Sequence, residues 1–302
     1  MTSLIRWLDA GRWRLRIMMY HGVGVPDYPE RAFAEQLQRL SRWYQIVDIQ
    51  EAMRTLQAEH PPARPQMLLT FDDGLRNNYR VAYPVLRQLR IPAVFYVCPA
   101  LIEQQHWLWN HEARERLRSL TPETRKALAA DLQAPDSSPN RLVEWMKSLP
   151  TERCLLLLDR IRAATAPFRP TPIQHDCFDL MSWQELRSID PAVVTIGSHT
   201  LSHPILTGLP AAALEQEVRD SRRWLEQELG RPVAHFCYPN GSNNLAVRRA
   251  VAAAYDSAVT TEYGQVAGGA DRHQLRRIAA TPKNPNLIWR LHRRYPTRHV
   301  DA

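Results

Sequence analysis

Lysine is nearly missing from this 302-residue chain. Only Lys126, Lys147 and Lys283 stand among 39 basic residues, so arginine carries almost all of the positive charge. Against 31 acidic residues this leaves a formal net charge of +8. A guanidinium grips phosphate bidentately where an ammonium acts as a point charge. The surplus therefore suits anionic substrates or a membrane surface, although plain compositional bias accounts for it equally. The basic residues are scattered, dense only in "IWRLHRRYPTRH" near the end, and no nucleic-acid recognition motif accompanies them. Nucleic acid is not an expected partner. Cysteine is scarce too: Cys98, Cys154, Cys177 and Cys237 show no C-x-x-C or zinc-ribbon spacing. They read as isolated buried thiols, which suits a reducing compartment. No run approaches the roughly 20 apolar residues of a membrane span. The opening "MTSLIRWLDAGRWRLRIMMYHG" lacks the apolar core and small-residue cleavage site of a signal peptide. The expected location is the cytoplasm, with Trp7, Trp13 and their arginines suited to peripheral contact at the inner membrane face.

What is present is a repeated strand–helix rhythm. "RIMMYHGV", "YQIVDI", "QMLLTF", "PAVFYV", "VVTIGS", "VAHFCYP" and "DSAVTT" read as strands separated by helical patterns. They are continuous apolar runs rather than alternating ones, as expected of strands covered by helices. Repeated units of this kind imply an α/β fold with a parallel sheet, open or closed. Residues 101–180 break the rhythm with two helical patterns, "TPETRKALAADL" and "PTERCLLLLDRIRAA", each with a Thr cap. They read as a helical insertion between strands of one domain spanning 1–302. In the helix "PAAALEQEVRDSRRWLEQELGRP", Leu214, Val218, Leu225 and Leu229 share a face and Gly230 stands where a C-cap belongs.

Two motifs carry chemistry. "LLTFDDG" delivers adjacent carboxylates, Asp72 and Asp73, at the end of a strand, where a helix cap needs only one. "GSHTLSHP" places His199 and His203 four apart at the end of another strand. Two imidazoles at that spacing converge on one metal if the backbone between them turns tightly. In parallel α/β barrels the C-terminal strand ends form one face, which is where active sites collect. Two His and one carboxylate leave a zinc ion open to water. One Asp then binds the cation, which relieves the like-charge repulsion, and the other is free to accept a proton.

"LLTFDDG", "SHTLSHP" and "FCYPNG", in that order on successive strands, resemble the polysaccharide deacetylases of the NodB-homology type, carbohydrate esterase family 4. "LMSWQELRSI" resembles the run-in to their histidine motif, and the similarity covers most of the chain outside 101–180. The resemblance implies a distorted (β/α) barrel and metal-dependent removal of N-acetyl groups from an amino sugar, with zinc or another divalent transition metal. By motif it implies Asp72 as general base, Asp73, His199 and His203 as metal ligands, and the backbone N–H of Asn240 as oxyanion donor. Many relatives carry an aromatic residue where Asn240 stands, and its stacking role would be lost here. Many also carry a general-acid histidine in a late Leu-x-His strand. None follows Val259, and His273, His292 and His299 lie in polar or arginine-rich surroundings. The first strand instead ends in His21, which resembles the permuted subgroup and makes His21 the expected general acid. For the arginine that orients the base, "QLRRIAATP" offers Arg276 or Arg277. Alternation allows only one to face inward, and Arg277 is the expected one.

Around this set stand weaker candidates. Trp107 and Trp109 in "EQQHWLWNHE" suit sugar stacking or anchoring of the insertion, and His106 and His111 have no carboxylate pattern that would make a second metal site. Arg76, Asn77 and Asn78 follow the acids closely enough to touch substrate or to cap a helix. The same parts would serve a deformylase or another amide hydrolase. A non-catalytic carbohydrate-binding protein is disfavoured, because both acids and both histidines are retained. A cytoplasmic enzyme would meet a phosphate- or lipid-linked sugar or a small glycoside precursor rather than an exported polymer.

Overall fold

The computed structural model describes residues 14–292. Trp7, Trp13, His299 and the end of the arginine-rich run lie outside the described residues. Nine strands follow in chain order: β1 (Arg14–Tyr20), β2 (Gln45–Ile46), β3 (Gln66–Phe71), β4 (Ala93–Val97), β5 (Val194–Ser198), β6 (His235–Cys237), β7 (Ser257–Tyr263), β8 (Val266–Ala267) and β9 (Leu275–Ala279). Seven of them, in the spatial order β1, β3, β4, β5, β6, β7, β9, pair in parallel, and β9 returns to β1 to close a barrel. β2 adds in parallel to the start of β3, and β8 lies antiparallel on β1. Helices cover the outside, so the expected distorted (β/α) barrel is the observed one.

Strand parity sorts the barrel's two faces. Leu15, Ile17, Leu68, Val94, Tyr96, Cys237, Val259 and Leu275 come from six of the barrel strands and form one buried cluster. They fill the interior, together with Val47, Ile49, Ala52 and Leu56 from beside β2 and the next helix. The alternate residues, among them Met67, Leu69, Phe71, Phe95 and Ile196, pack outward in a second cluster with the helices. Each such Leu, Ile or Phe contributes about 1.5–3 kcal/mol by leaving water.

Several elements differ from expectation, each for a local reason. "YQIVDI" is a strand only over Gln45–Ile46, because the Asp48 side chain accepts a hydrogen bond from Glu51 N–H and starts the helix Ile49–Gln57. The helix in "YRVAYPVLRQL" opens with a π turn, Asn78–Ala82, in which Tyr83 N–H reaches back to the Asn78 carbonyl. Pro84 offers no N–H for the following α-type bond.

Between β4 and β5 run seven helices, from Pro99–Gln104 through Trp183–Arg187, where the sequence patterns of 101–180 suggested two. Trp109–Arg118, Pro122–Asp131, Pro139–Lys147 and Thr151–Ala164 share a hydrophobic cluster distinct from the two barrel clusters. Thr121 caps its helix as expected, whereas the cap before Thr151–Ala164 is Pro150, with Thr151 already inside.

Candidate active site

Parity places the first catalytic candidates. On β3, Leu68 and Thr70 face the interior, so Asp72, two residues on, follows them inward. On β9, Leu275 faces inward and Arg277 with it. The two meet: Arg277 Nη1 lies 2.7 Å from Asp72 Oδ1 and Nη2 2.7 Å from Oδ2. The guanidinium also donates to the Thr260 carbonyl at 2.7 Å and to Thr70 Oγ1 at 3.0 Å. Burial alone would push the Asp72 carboxyl upward, but the charge and hydrogen bonds of Arg277 outweigh it and hold the group below its ordinary range. Arg276 points the other way, its Nε 3.3 Å from Glu262.

Asp73 leaves the strand with φ +74°, followed by Gly74 at +68°. This turn aims its carboxylate at the histidine loop. Asp73 Oδ1 lies 3.5 Å from His199 Nε2 and 3.6 Å from His203 Nε2. The loop is a tight turn rather than a helix: Thr200 and His203 have φ +71° and +64°, and His203 N–H donates to Thr200 Oγ1 at 2.9 Å. Positive φ is costly for any residue with a Cβ, most of all for a β-branched one. Asp73, Thr200, His203 and Asn240 account for four of the seven such residues among the described ones, so local strain concentrates at this site. Glu217 holds the loop from outside by accepting from Leu201 N–H, Ser202 N–H and Ser202 Oγ–H. Sequence reading passed over Glu217 because it sits in an ordinary amphipathic helix.

The donor set suits a divalent metal. Asp73, His199 and His203 are all buried and bring their ligand atoms within 4.8 Å of one another. His199 Nδ1 donates to the Cys237 carbonyl at 2.7 Å, which turns Nε2 toward Asp73. Burial and the neighbouring His199 charge push His203 down to about 3, so its imidazole is neutral across the ordinary pH range. Burial opposes a charge on His199, but the field of Cys237 and the hydrogen bond to Asp73 outweigh it and raise that imidazole well above its ordinary value, a proton that a divalent cation would replace. Two imidazoles and one carboxylate are the borderline-soft N/O donors that zinc accepts.

These groups open into a cavity of about 270 Å³. His21 lines it from the end of β1, one residue beyond Tyr20, whose carbonyl accepts from Asp72 N–H at 3.0 Å. Asn240 lines it from the turn after β6, with φ +55°. Gly241 N–H donates to the Tyr238 carbonyl and Thr261 Oγ1 to the Asn240 carbonyl, which leaves the Asn240 N–H out of the turn's own bonds. The glycine of "YPNG" is dictated by space: a Cβ at Gly241 would fall 2.0 Å from Thr261 Oγ1, at φ +70°.

The fourth wall comes from the insertion, through Trp109, Asn110, His111, Arg114 and Lys147. His111 Nε2 lies 3.4 Å from Asp73 Oδ2, on the oxygen that does not face the histidine pair. Against the upward push of burial, His111 and His199 hold Asp73 well below the usual carboxylate range. His111 carried no motif in the sequence; only its place near the start of the insertion, beside two tryptophans, hinted at the active-site rim. Of those tryptophans, Trp109 lines the cavity while Trp107 donates to Asp179 at 2.9 Å and packs on Phe178 as an anchor. His106 is exposed and outside the cavity lining. Arg76 pairs with Glu185 at 2.9 Å, and Asn77 bridges Val23 N–H to the Asp176 and Cys177 carbonyls. Both serve to tie the insertion's end to the acid loop.

Residues 59–257 match the polysaccharide deacetylase family profile. The chain belongs to that family. It is 23% identical over 274 residues to YxkH of Bacillus subtilis, a protein named for the same family, covering 89% of this chain and 72% of that one. Its fold is similar to that of the Streptococcus pyogenes deacetylase PplD, solved in complex with acetate. The TM-score is 0.64 at 19% identity, over 94% of this chain and 100% of that one. It is also similar to IcaB from Ammonifex degensii, with a TM-score of 0.61 at 18% identity, over 93% and 97% of the two chains. Among the described residues no helix is long and apolar enough to cross a membrane.

Proposed function

We propose that this polysaccharide deacetylase relative is a metal-dependent hydrolase that removes N-acetyl groups from an amino sugar, with zinc as its metal. The observation that carries the reading is the division of labour between adjacent acids. Asp73 turns one oxygen to both His199 and His203, while both oxygens of Asp72 are gripped by Arg277. One carboxylate is thus committed to a cation and the other to proton transfer.

Asp73, His199 and His203 would hold the metal. When bound, it lowers the pKa of a water and polarises the acyl carbonyl. Asp72, kept ionised by Arg277, accepts the proton of the attacking water. The same guanidinium fixes the carboxylate in one orientation. Asn240 lines the cavity, and its N–H donates to the oxygen on which negative charge develops. His21, on the side of the cavity formed by β1, delivers a proton to the departing amine, without which the adduct reverts to substrate. An acid supplied just after the first strand supports the reading that the chain is of the permuted subgroup.

The test is acetate release from acetamido sugars by the metal-loaded protein. Asp72→Asn is expected to abolish most of it. Release by that variant at the wild-type rate would remove Asp72 from the mechanism and the reading with it.

A further inference from the structure

The insertion charges the cavity. Arg114 lines it, half-buried, and makes no hydrogen bond or ion pair with any described residue. The acids whose fields reach it are engaged elsewhere. Glu144 binds Lys147 at 2.8 Å, Glu115 binds Arg118 at 2.6 Å and Gln174 at 2.8 Å, and Asp73 faces three histidines. Lys147 also lines the cavity. Lys147 is shared with Glu144, so with Asp72 neutralised by Arg277 it is Arg114 that makes this wall anion-seeking. An unpaired guanidinium held partly out of water is costly unless an incoming group completes it.

Beside this wall the cavity continues into a smaller, mainly apolar groove of about 70 Å³. Trp109, His203 and Ile205 line both spaces, and Met146, the neighbour of Lys147, lines the groove. Leu149, Cys154 and Leu155 complete its far side. Leu155, at the groove's edge, and the adjacent Leu156 are 50% and 66% exposed, apolar surface that no described residue covers.

The sequence thus runs catalytic acids, cations, then apolar surface. From that order we infer that the substrate is an acetamido sugar joined through a phosphate to an apolar chain. The sugar occupies the cavity, the phosphate meets Arg114 and Lys147, and the chain lies along the groove past Leu155. This rests on the deacetylase reading for the role of the sugar, while the subsite stands on its own geometry.

The experiment is calorimetric binding of octyl phosphate, inorganic phosphate and octyl glucoside to the full-length, metal-loaded protein. Octyl phosphate is expected to bind at least about tenfold more tightly than either of the others. Arg114→Gln, with its fold checked by circular dichroism, is expected to weaken octyl phosphate by roughly tenfold to a hundredfold, the worth of a charge-assisted hydrogen bond. Leu155→Asp, on an exposed position, is expected to cost octyl phosphate more than inorganic phosphate. Equal affinity for octyl glucoside and octyl phosphate, or an unchanged Arg114→Gln, would overturn the anion subsite. Equal affinity for inorganic and octyl phosphate would overturn the apolar chain. Binding needs no turnover, so a protein that binds octyl phosphate as expected yet releases no acetate from any acetamido sugar would leave the subsite standing and sink the deacetylase reading instead.

Discussion

Arg277 meets Asp72 with both arms of its guanidinium, 2.7 Å on each side, inside a barrel where Arg277 is 1% exposed and Asp72 2%. The pair is a structural fixture as well as the proposed seat of the general base. Arg277→Leu would leave a buried carboxylate without its counter-charge, a loss of roughly 3–5 kcal/mol that urea unfolding would measure. The sign of the pH effect follows. In the wild type the Asp72 carboxyl lies below its unfolded value, so the pair stabilises above about pH 4. That stability is lost as the pH falls through the depressed value. In Arg277→Leu burial is opposed only by the fields of His199 and His21, and the acid limb of the activity profile should move to higher pH. An unmoved limb would mean that another group governs it.

Metal content separates the two acids. Asp73→Asn and His203→Ala each remove a donor from a three-ligand set and are expected to lose the metal. Asp72→Asn should retain it while turnover falls by about 10²- to 10⁴-fold, the usual worth of a positioned general base. Elemental mass spectrometry on the purified variants decides the point. Equal metal in Asp72→Asn and Asp73→Asn would contradict the division of labour.

How far the sequence reached depended on how local the determinants were. "LLTFDDG" and "SHTLSHP" are contiguous, and strand parity alone carries Asp72 into the barrel. Arg277 could be chosen over Arg276 from alternation, since Leu275 marks the inward face. The insertion was another matter. Its helices pack on one another rather than repeating the barrel rhythm, so periodicity said little about which side chain would reach the site. His111 and Arg114 become visible only when the helix Trp109–Arg118 is folded back so that His111 meets Asp73. The Pro150 cap was misread because Thr151 is the kind of residue that usually fills the role.

His111 gives the insertion a measurable stake in the metal centre. Its Nε2 lies 3.4 Å from the Asp73 oxygen that faces away from the histidine pair, and its ring packs on Phe178 at 4.8 Å between centroids. Groups that orient a ligand in this way typically matter by 10- to 100-fold in metal affinity. His111→Ala should therefore weaken zinc binding by that order in a competition titration with a chromophoric chelator. His111→Gln, which keeps a donor, should recover part of the loss. Unchanged affinity in both would reduce His111 to packing.

Acid sensitivity has a second source remote from the metal. His235 on β6 is buried, 2.9 Å from Ser257 Oγ, and its burial pushes the imidazole down to about 4 despite the opposing field of Asp256. An unfolded histidine takes its proton near pH 6.5. Below that value the unfolded chain binds a proton that the folded chain refuses, so stability falls as the pH drops from about 6.5 toward 4. The loss over that window is on the order of a few kcal/mol. Urea midpoints at pH 7 and pH 5 would show it. His235→Gln should start lower at pH 7, having lost a fitted ring, but decline less between the two. An equal decline in both proteins would move the sensitivity to the metal-binding histidines, where added zinc should then suppress it.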